Sequence, residues 1–223
     1  MPSTTRDVLS LVELVYDNTR RAILDGRFKP GQRLRLQDLA GENKASFIPV
    51  REALRLLEAG RLVEIIPNKG ARVADVSEAD MLDAYSIRIN LERLAIERAC
   101  AEITDAELDQ ASKLFEEMMD AFESADVEKS SETHREFHLT LYRAARSPWL
   151  IHLIQLLMSN TDRYRRLLTP ARPSPLHLSA IQSQHLAILE AVKAHDASRA
   201  GEELRRHLED TQERYKAGLS ERM

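Results

Sequence analysis

The chain has one cysteine, Cys100, among 223 residues. One thiol cannot close an internal disulfide or build a cysteine-based metal site. A reducing, cytoplasmic setting is therefore expected. Long apolar runs are missing too. None approaches the roughly 18 residues that a membrane helix requires, so no membrane partner is expected. The N-terminal stretch MPSTTRDVLSLVELVYDN lacks a basic segment leading into an apolar core, so a secretory signal is not expected either. Tryptophan occurs once, as Trp149. Beside Pro148 it reads as a staple at a helix start. Glycine is scarce: 7 residues, about half the usual ~7% frequency. Five of them (Gly26, Gly31, Gly41, Gly60 and Gly70) fall in the first 70 residues.

Apolar residues make up 43% of the chain and charged residues 30%, which is globular and not disordered. The net charge of -4 would argue weakly against nucleic acid, but it hides an asymmetry. Residues 1–76 hold 13 Lys+Arg against 10 Asp+Glu, an excess of +3. Residues 77–223 hold 19 against 26, an excess of -7. A basic front joined to an acidic back predicts two modules with different partners. The glycines divide in the same way. The front needs tight turns, and the back, nearly without glycine, reads as a helix bundle.

In the front module, residues 8–25 put Val8, Leu11, Val12, Val15, Ile23 and Leu24 near one helical stripe, which Gly26 ends. FKPGQRL is a Pro-Gly turn into a short extended piece. A second helix starts at Leu36. Ser46 is a good N-cap for a third helix, IPVREALRLLEAG, with Val50, Leu54 and Leu57 facing inward. LVEII and ARVADV are β-branched runs flanking Pro67-Asn68-Lys69-Gly70, a hairpin signal. Helix, helix, turn, helix, hairpin is the winged helix-turn-helix order. In that arrangement the third helix lies in the DNA major groove. Ser46, Phe47, Ile48, Pro49 and Arg51 at its start would face base edges or phosphate. Asn68, Lys69 and Gly70 would form the wing tip at the adjacent groove, and Arg35 adds a cation nearby. The plainer alternative is that Arg51 and Arg55 are solvated charges on an amphipathic helix.

ILDGRFKPGQRL and SFIPVREALRLLEAGRLVEIIPNKGARV resemble the DNA-binding domain of GntR-family transcriptional regulators, over about residues 10–76. The resemblance implies a dimer on a palindromic, double-stranded operator, and places Ser46, Arg51 and Gly70 at DNA. Two departures stand out. Phe47 replaces an arginine common in the family, and Asn43-Lys44 replaces the usual Leu-Gly.

The back module reads as an antiparallel bundle of six helices, near 78–102, 105–124, 127–146, 148–168, 176–194 and 197–219. Thr104, Asp126, Ser147-Pro148 and Asp196 supply helix-start chemistry. The loop TPARPSP (169–175) is too proline-rich for helix and is a candidate lid or crossover. Seven histidines occur. His134 and His138 are i, i+4 on one helix, a spacing that lets two imidazoles grip one metal. His185 shares a stripe with Ile181, Ile188 and Val192. His207 lies between Leu204 and Leu208. Taken singly, each inward histidine is more often a hydrogen-bonded core residue. Together they form an all-nitrogen set suited to Zn2+ first, with Ni2+, Co2+ or Cu2+ as alternatives. Met118-Met119 and Leu156-Leu157-Met158 read as core or dimer-interface packing.

Arg88…Glu92, HREFH (134–138), HLAILEAV (185–192) and HL (207–208) resemble the FCD domain, the ligand-binding half of FadR-subfamily GntR regulators. Six helices look like its VanR-type branch. The resemblance implies a divalent metal at the floor of an effector pocket, held by an Asp and three His. Here His134 replaces that Asp, which removes a negative charge and favours an anionic effector. Arg88 is then a candidate clamp for a small carboxylate metabolite, with Tyr142 beside it. Its alternative is an Arg88–Glu92 ion pair. The expected function is a metabolite-responsive repressor, not an enzyme. A metal-dependent hydrolase is the competing reading, but HREFH lacks the H-E-x-x-H placement of a general base. A purely structural helical module is the third.

Overall fold

The computed structural model describes residues 5–67, 69–170 and 173–221, without the side chains of 5–9. Contacts divide these residues into two units. The first contains residues 1–77 and 159–167, and the second contains residues 78–158 and 168–223.

The first unit is built on α1 (Thr5–Leu24), α2 (Leu36–Glu42) and α3 (Phe47–Ala59). Val12, Val15 and Ile23 of α1 meet Leu39 of α2 and Val50, Leu54 and Leu57 of α3 in one core. The sheet has three antiparallel strands in the order β1-β3-β2. These are β1 (Arg33–Leu34), β2 (Val63–Ile66) and β3 (Gly70–Val73). The expected hairpin is the β2–β3 pair, with Val63 opposite Val73. The extended piece after the Pro-Gly turn is β1, with Leu34 opposite Ala71. This is a winged helix-turn-helix.

Gly70 opens β3 at φ +91°, where an L side chain is strained. A Cβ there would lie 2.5 Å from the Leu34 carbonyl oxygen. Gly70→Ala is therefore expected to destabilise this unit by about 2 kcal/mol or more. Urea unfolding followed by helical circular dichroism would measure it, and an unchanged midpoint would refute the assignment. Lys44, where the family usually has glycine, also takes a left-handed φ of +49°. The adjoining Asn43 donates to the Leu39 carbonyl and accepts from Asn18 Nδ2 at 2.9 Å, which fixes this turn.

Residues 159–167 join this unit through polar contacts. The end of α3 leaves carbonyls without helical donors. Asn160 Nδ2 donates to the Gly60 carbonyl at 3.0 Å, and Arg163 Nη1 donates to that of Arg61 at 3.3 Å. The Tyr164 hydroxyl donates to the Ser77 carbonyl, and Arg20 pairs with Asp162. Nothing local in the sequence marks this segment.

The second unit is all helical. It comprises α4 (Glu78–Glu102), α5 (Asp105–Glu123), α6 (Val127–Arg143), most of α7 (Pro148–Leu168), α8 (Pro175–Lys193) and α9 (Ala197–Ser220). Local chemistry sets the starts. Thr104 and Glu107 form a reciprocal capping box, and Asp126 and Asp196 accept from the amides of Lys129 and Arg199. Ser174 caps α8 with Pro175 in its first turn, a start one residue earlier than the pattern placed it. Helix α6 ends at Arg143, short of the expected 146. Of the loop 169–175, residues 171 and 172 lie outside the described residues. Gly201 has a packing reason: a Cβ there would lie 2.5 Å from Glu97 Oε1, so its absence lets α9 approach α4.

Met118 and Met119 pack with Phe122 and Ile181, as expected. Trp149 does not act as a staple. It is 79% exposed and stands edge-on to His152, on the side of α7 opposite buried Leu150, Ile154 and Met158. Leu156 is exposed as well. Among the described residues, no helix is long and apolar enough to cross a membrane.

Candidate functional site

Three helices carry the histidines inward. The stripe on α6 presents His134, His138 and Tyr142, that on α8 presents His185, and that on α9 presents His207. Their nearest ring nitrogens all lie within 4.8 Å of one another. His138, His185 and His207 are buried, and His134 is half-buried. The remaining histidines, His152, His177 and His195, are not part of the cluster.

Each buried imidazole is oriented from behind. His185 Nδ1 lies 2.7 Å from the Ile181 carbonyl, which can only accept, so Nδ1 carries the proton. His207 Nδ1 lies 3.0 Å from Gln184 Oε1, and the Gln184 amide is itself fixed by donating to Asp210. The Tyr142 hydroxyl donates to Glu92 Oε2 at 2.7 Å, so its oxygen accepts from His138 Nδ1 at 3.3 Å. The three Nε2 lone pairs therefore face a common centre. Partners of this kind fix tautomer and ring plane for a metal ligand.

The Nε2 atoms of His138 and His185 are 3.2 Å apart. Neither carries a proton to share, so the pair is repulsive unless a cation lies between them. Two nitrogens on a tetrahedral Zn2+ at ~2.0–2.1 Å would stand about 3.3 Å apart. The donor set fits a cation.

Burial is the main cause that holds His138 and His207 well below the ordinary imidazole range, with the neighbouring histidines and Arg88 adding to it. Burial also lowers His185 to about 4. All three are neutral at pH 7, the form that binds metal. Their folded pKa values lie below the unfolded value of about 6.5, so the unfolded chain takes up more protons as pH falls. Stability of the metal-free second unit is therefore full above pH ~6.5 and falls as pH drops toward about 4. The expected result is a lower urea midpoint at pH 5 than at pH 7.5 with chelator present. An equal midpoint would show the imidazoles to be solvated.

Behind Tyr142 stands a buried ion pair. Arg88 Nε donates to Glu92 Oε1 at 2.6 Å, and its guanidinium lies 4.8 Å from the Tyr85 ring centre. Burial is the largest single influence and opposes the Arg88 charge, but Glu92, Tyr85 and Tyr142 together raise the pKa. The Arg88–Glu92 pair, the alternative to a carboxylate clamp, is present, one residue removed from the histidines. Gln184 was not singled out by sequence pattern, and Glu92 only as the partner of Arg88. The i, i+4 spacing from Arg88 was the one signal for Glu92, and Gln184 gave none.

In the first unit, Arg35, Ser46, Phe47, Ile48, Arg51 and Lys69 are exposed. Ser46 sits at the N-cap of α3 but makes no capping bond with its side chain. Pro49 is buried. It shapes the first turn of α3, where a missing amide is tolerated, and does not present its ring outward. Gly70 shapes the wing through its backbone. Arg33 Nε and Nη2 donate to the Lys69 carbonyl at 3.1 and 3.0 Å, a brace across the turn that pattern reading missed. Asn68 lies outside the described residues.

Two known families match this chain. Residues 11–73 match the bacterial regulatory proteins of the gntR family, and residues 83–210 match the FCD domain. The HTH-type transcriptional regulator BphR of Paraburkholderia xenovorans is 32% identical over 221 residues, 94% of this chain and 87% of that protein. The HTH-type transcriptional repressor GlaR of Escherichia coli is 32% identical over 202 residues, 86% of this chain and 90% of that one. The solved structure of E. coli McbR/YncC superposes with a TM-score of 0.79 at 26% identity, covering 90% of this chain and 94% of that one. These relatives and families are regulators of transcription, not enzymes.

Proposed function

We propose, from the premise that the chain belongs to the gntR family of bacterial regulatory proteins and carries an FCD domain, that it is a repressor released by a small carboxylate. A homodimer would place two α3 helices on the half-sites of a palindromic operator. Arg51, Arg35 and Lys69 would meet phosphate or guanine, and the Ser46 hydroxyl and first amides of α3 would hold a phosphate. The wing residue Asn68, outside the described residues, belongs to the same proposed interface.

The effector would bind at the histidine cluster. His134, His138, His185 and His207 would hold the metal, Zn2+ first and Ni2+ second, because all four donors are borderline nitrogens. When bound, the ion supplies a fixed positive charge that attracts a carboxylate oxygen. Arg88 and Tyr142 would complete the site, the effector competing with Glu92 for the guanidinium. The convergence of three pre-oriented Nε2 atoms, 3.2 Å apart for His138 and His185, carries this reading. Effector binding would then change operator affinity by linkage. The covalent routes are residues 71–77 and α7, which contributes to both units.

An electrophoretic shift with the protein's own upstream DNA tests the reading. A shift is expected at low salt, weakened by an effector found in a screen of small mono- and dicarboxylates. No shift at low salt, with or without Zn2+, would overturn the regulator reading for this DNA. Reversal of the effector response by chelation is the result expected of a metal-containing pocket, and an effector response indifferent to chelator would remove the metal from it.

A further inference from the structure

We propose that Phe47 and Ile48 read thymine 5-methyl groups in the operator. The inference rests on the DNA-binding reading and adds its sequence chemistry. Phe47 and Ile48 are the first two residues of α3 and are 48% and 66% exposed. Neither belongs to the core of the first unit, which the same helix reaches through Val50, Ala53, Leu54 and Leu57. At about 100° per residue, Phe47, Arg51, Arg55 and Ile48 fall within an arc of roughly 100° on α3. The buried residues occupy the opposite arc. The outward face thus has two large apolar side chains flanking cations at its N-terminal end.

Folding gives no reason for that placement. Arg55 is paired with Glu52, while Arg51 has no ion pair among the described residues. The cations and the uncapped Ser46 suit a polyanion, and apolar side chains among them require an apolar feature on it. The thymine 5-methyl is the one apolar group on the major-groove edges of the bases. Arg51, between the two in projection, would reach a guanine or phosphate beside that thymine.

The test uses the full-length protein and the footprinted segment of its upstream DNA, with thymines replaced by deoxyuridine. That change deletes only the methyl and leaves pairing intact. Full replacement is expected to weaken binding about tenfold or more, with the loss traced to one or two thymines per half-site. Phe47→Ala and Ile48→Ala should bind the thymine DNA more weakly and lose the penalty for uracil. Their circular dichroism melts check that the domain still folds. Binding within twofold on thymine and uracil DNA would overturn the proposal while leaving DNA binding intact. So would a uracil penalty unchanged in both variants, which would assign the methyl contact elsewhere. An apolar patch that serves a protein partner would give the first of these results. Absence of binding to the thymine DNA itself would be the separate failure of the regulator reading.

Discussion

His185→Ala is expected to remove stoichiometric metal from the purified protein. His185 is 1% exposed, and its Nε2 lies 3.2 Å from that of His138. Its Nδ1 is committed to the Ile181 carbonyl, so Nε2 is aimed before any ion arrives. Loss of this donor leaves an off-centre set, and alanine brings no oxygen or nitrogen in its place. With the wild-type protein, Zn2+ at 100 times its Kd should add about 2.7 kcal/mol to stability through mass action. That gain should be absent in His185→Ala, read as an unchanged melting temperature on adding Zn2+. His134→Ala is the informative contrast. His134 is half-buried and replaces the family's carboxylate, and its removal leaves three buried imidazoles. Three histidines with an open position still hold zinc, as catalytic sites do. Reduced but measurable affinity is therefore expected. Equal metal content in the wild type and His185→Ala would refute the site.

The metal preference follows from the same donor set. Four neutral imidazoles offer no negative charge, which disfavours Mg2+ and Mn2+ relative to Zn2+, Ni2+ and Cu2+. Competition dialysis against excess Mn2+ should leave Zn2+ in place. Displacement by Mn2+ would show that an oxygen ligand outside the cluster dominates.

Features with local causes were legible in the sequence. The starts of α5, α6 and α9 were set by Thr104, Asp126 and Asp196, each bonding an amide three residues on. The histidine cluster was legible because a 3.6-residue stripe fixes which side of each helix faces the core. Three stripes then had to meet, and in this fold they do. Features made by distant chain segments were not legible. Asn160 and Arg163 find the carbonyls at the end of α3 about a hundred residues away, so no window of sequence shows residues 159–167 joining the first unit. Gln184 looks like a surface residue until His207 is placed beside it. Pro49 was placed at the DNA with its neighbours at the start of α3, while its phase on the helix points inward. Trp149 failed as a staple because the sequence gave it no partner to pack against.

Glu92→Leu is expected to destabilise the second unit by about 3–5 kcal/mol, the usual cost of removing one partner of a buried ion pair. Both partners are buried: the Arg88 side chain is 9% exposed and that of Glu92 1%. Their separation of i, i+4 would suggest a few tenths of a kcal/mol for an exposed pair, and burial is what raises the stake. The loss reaches further, because Glu92 also accepts from the Tyr142 hydroxyl, which holds His138. Without it that hydroxyl can turn toward His138 as a donor and compete for the proton position on Nδ1. Metal affinity should fall about 10- to 100-fold, as it does when such supporting partners are removed. The double variant Arg88→Met/Glu92→Leu separates the two effects. Replacing both charges removes the buried cation as well, so most of the stability should return in urea unfolding. The metal affinity should not return, since Tyr142 still lacks its acceptor. If affinity recovers with stability, the Arg88–Glu92 pair acts only by holding the bundle together. If it stays low in a stable protein, Glu92 positions the metal site through Tyr142.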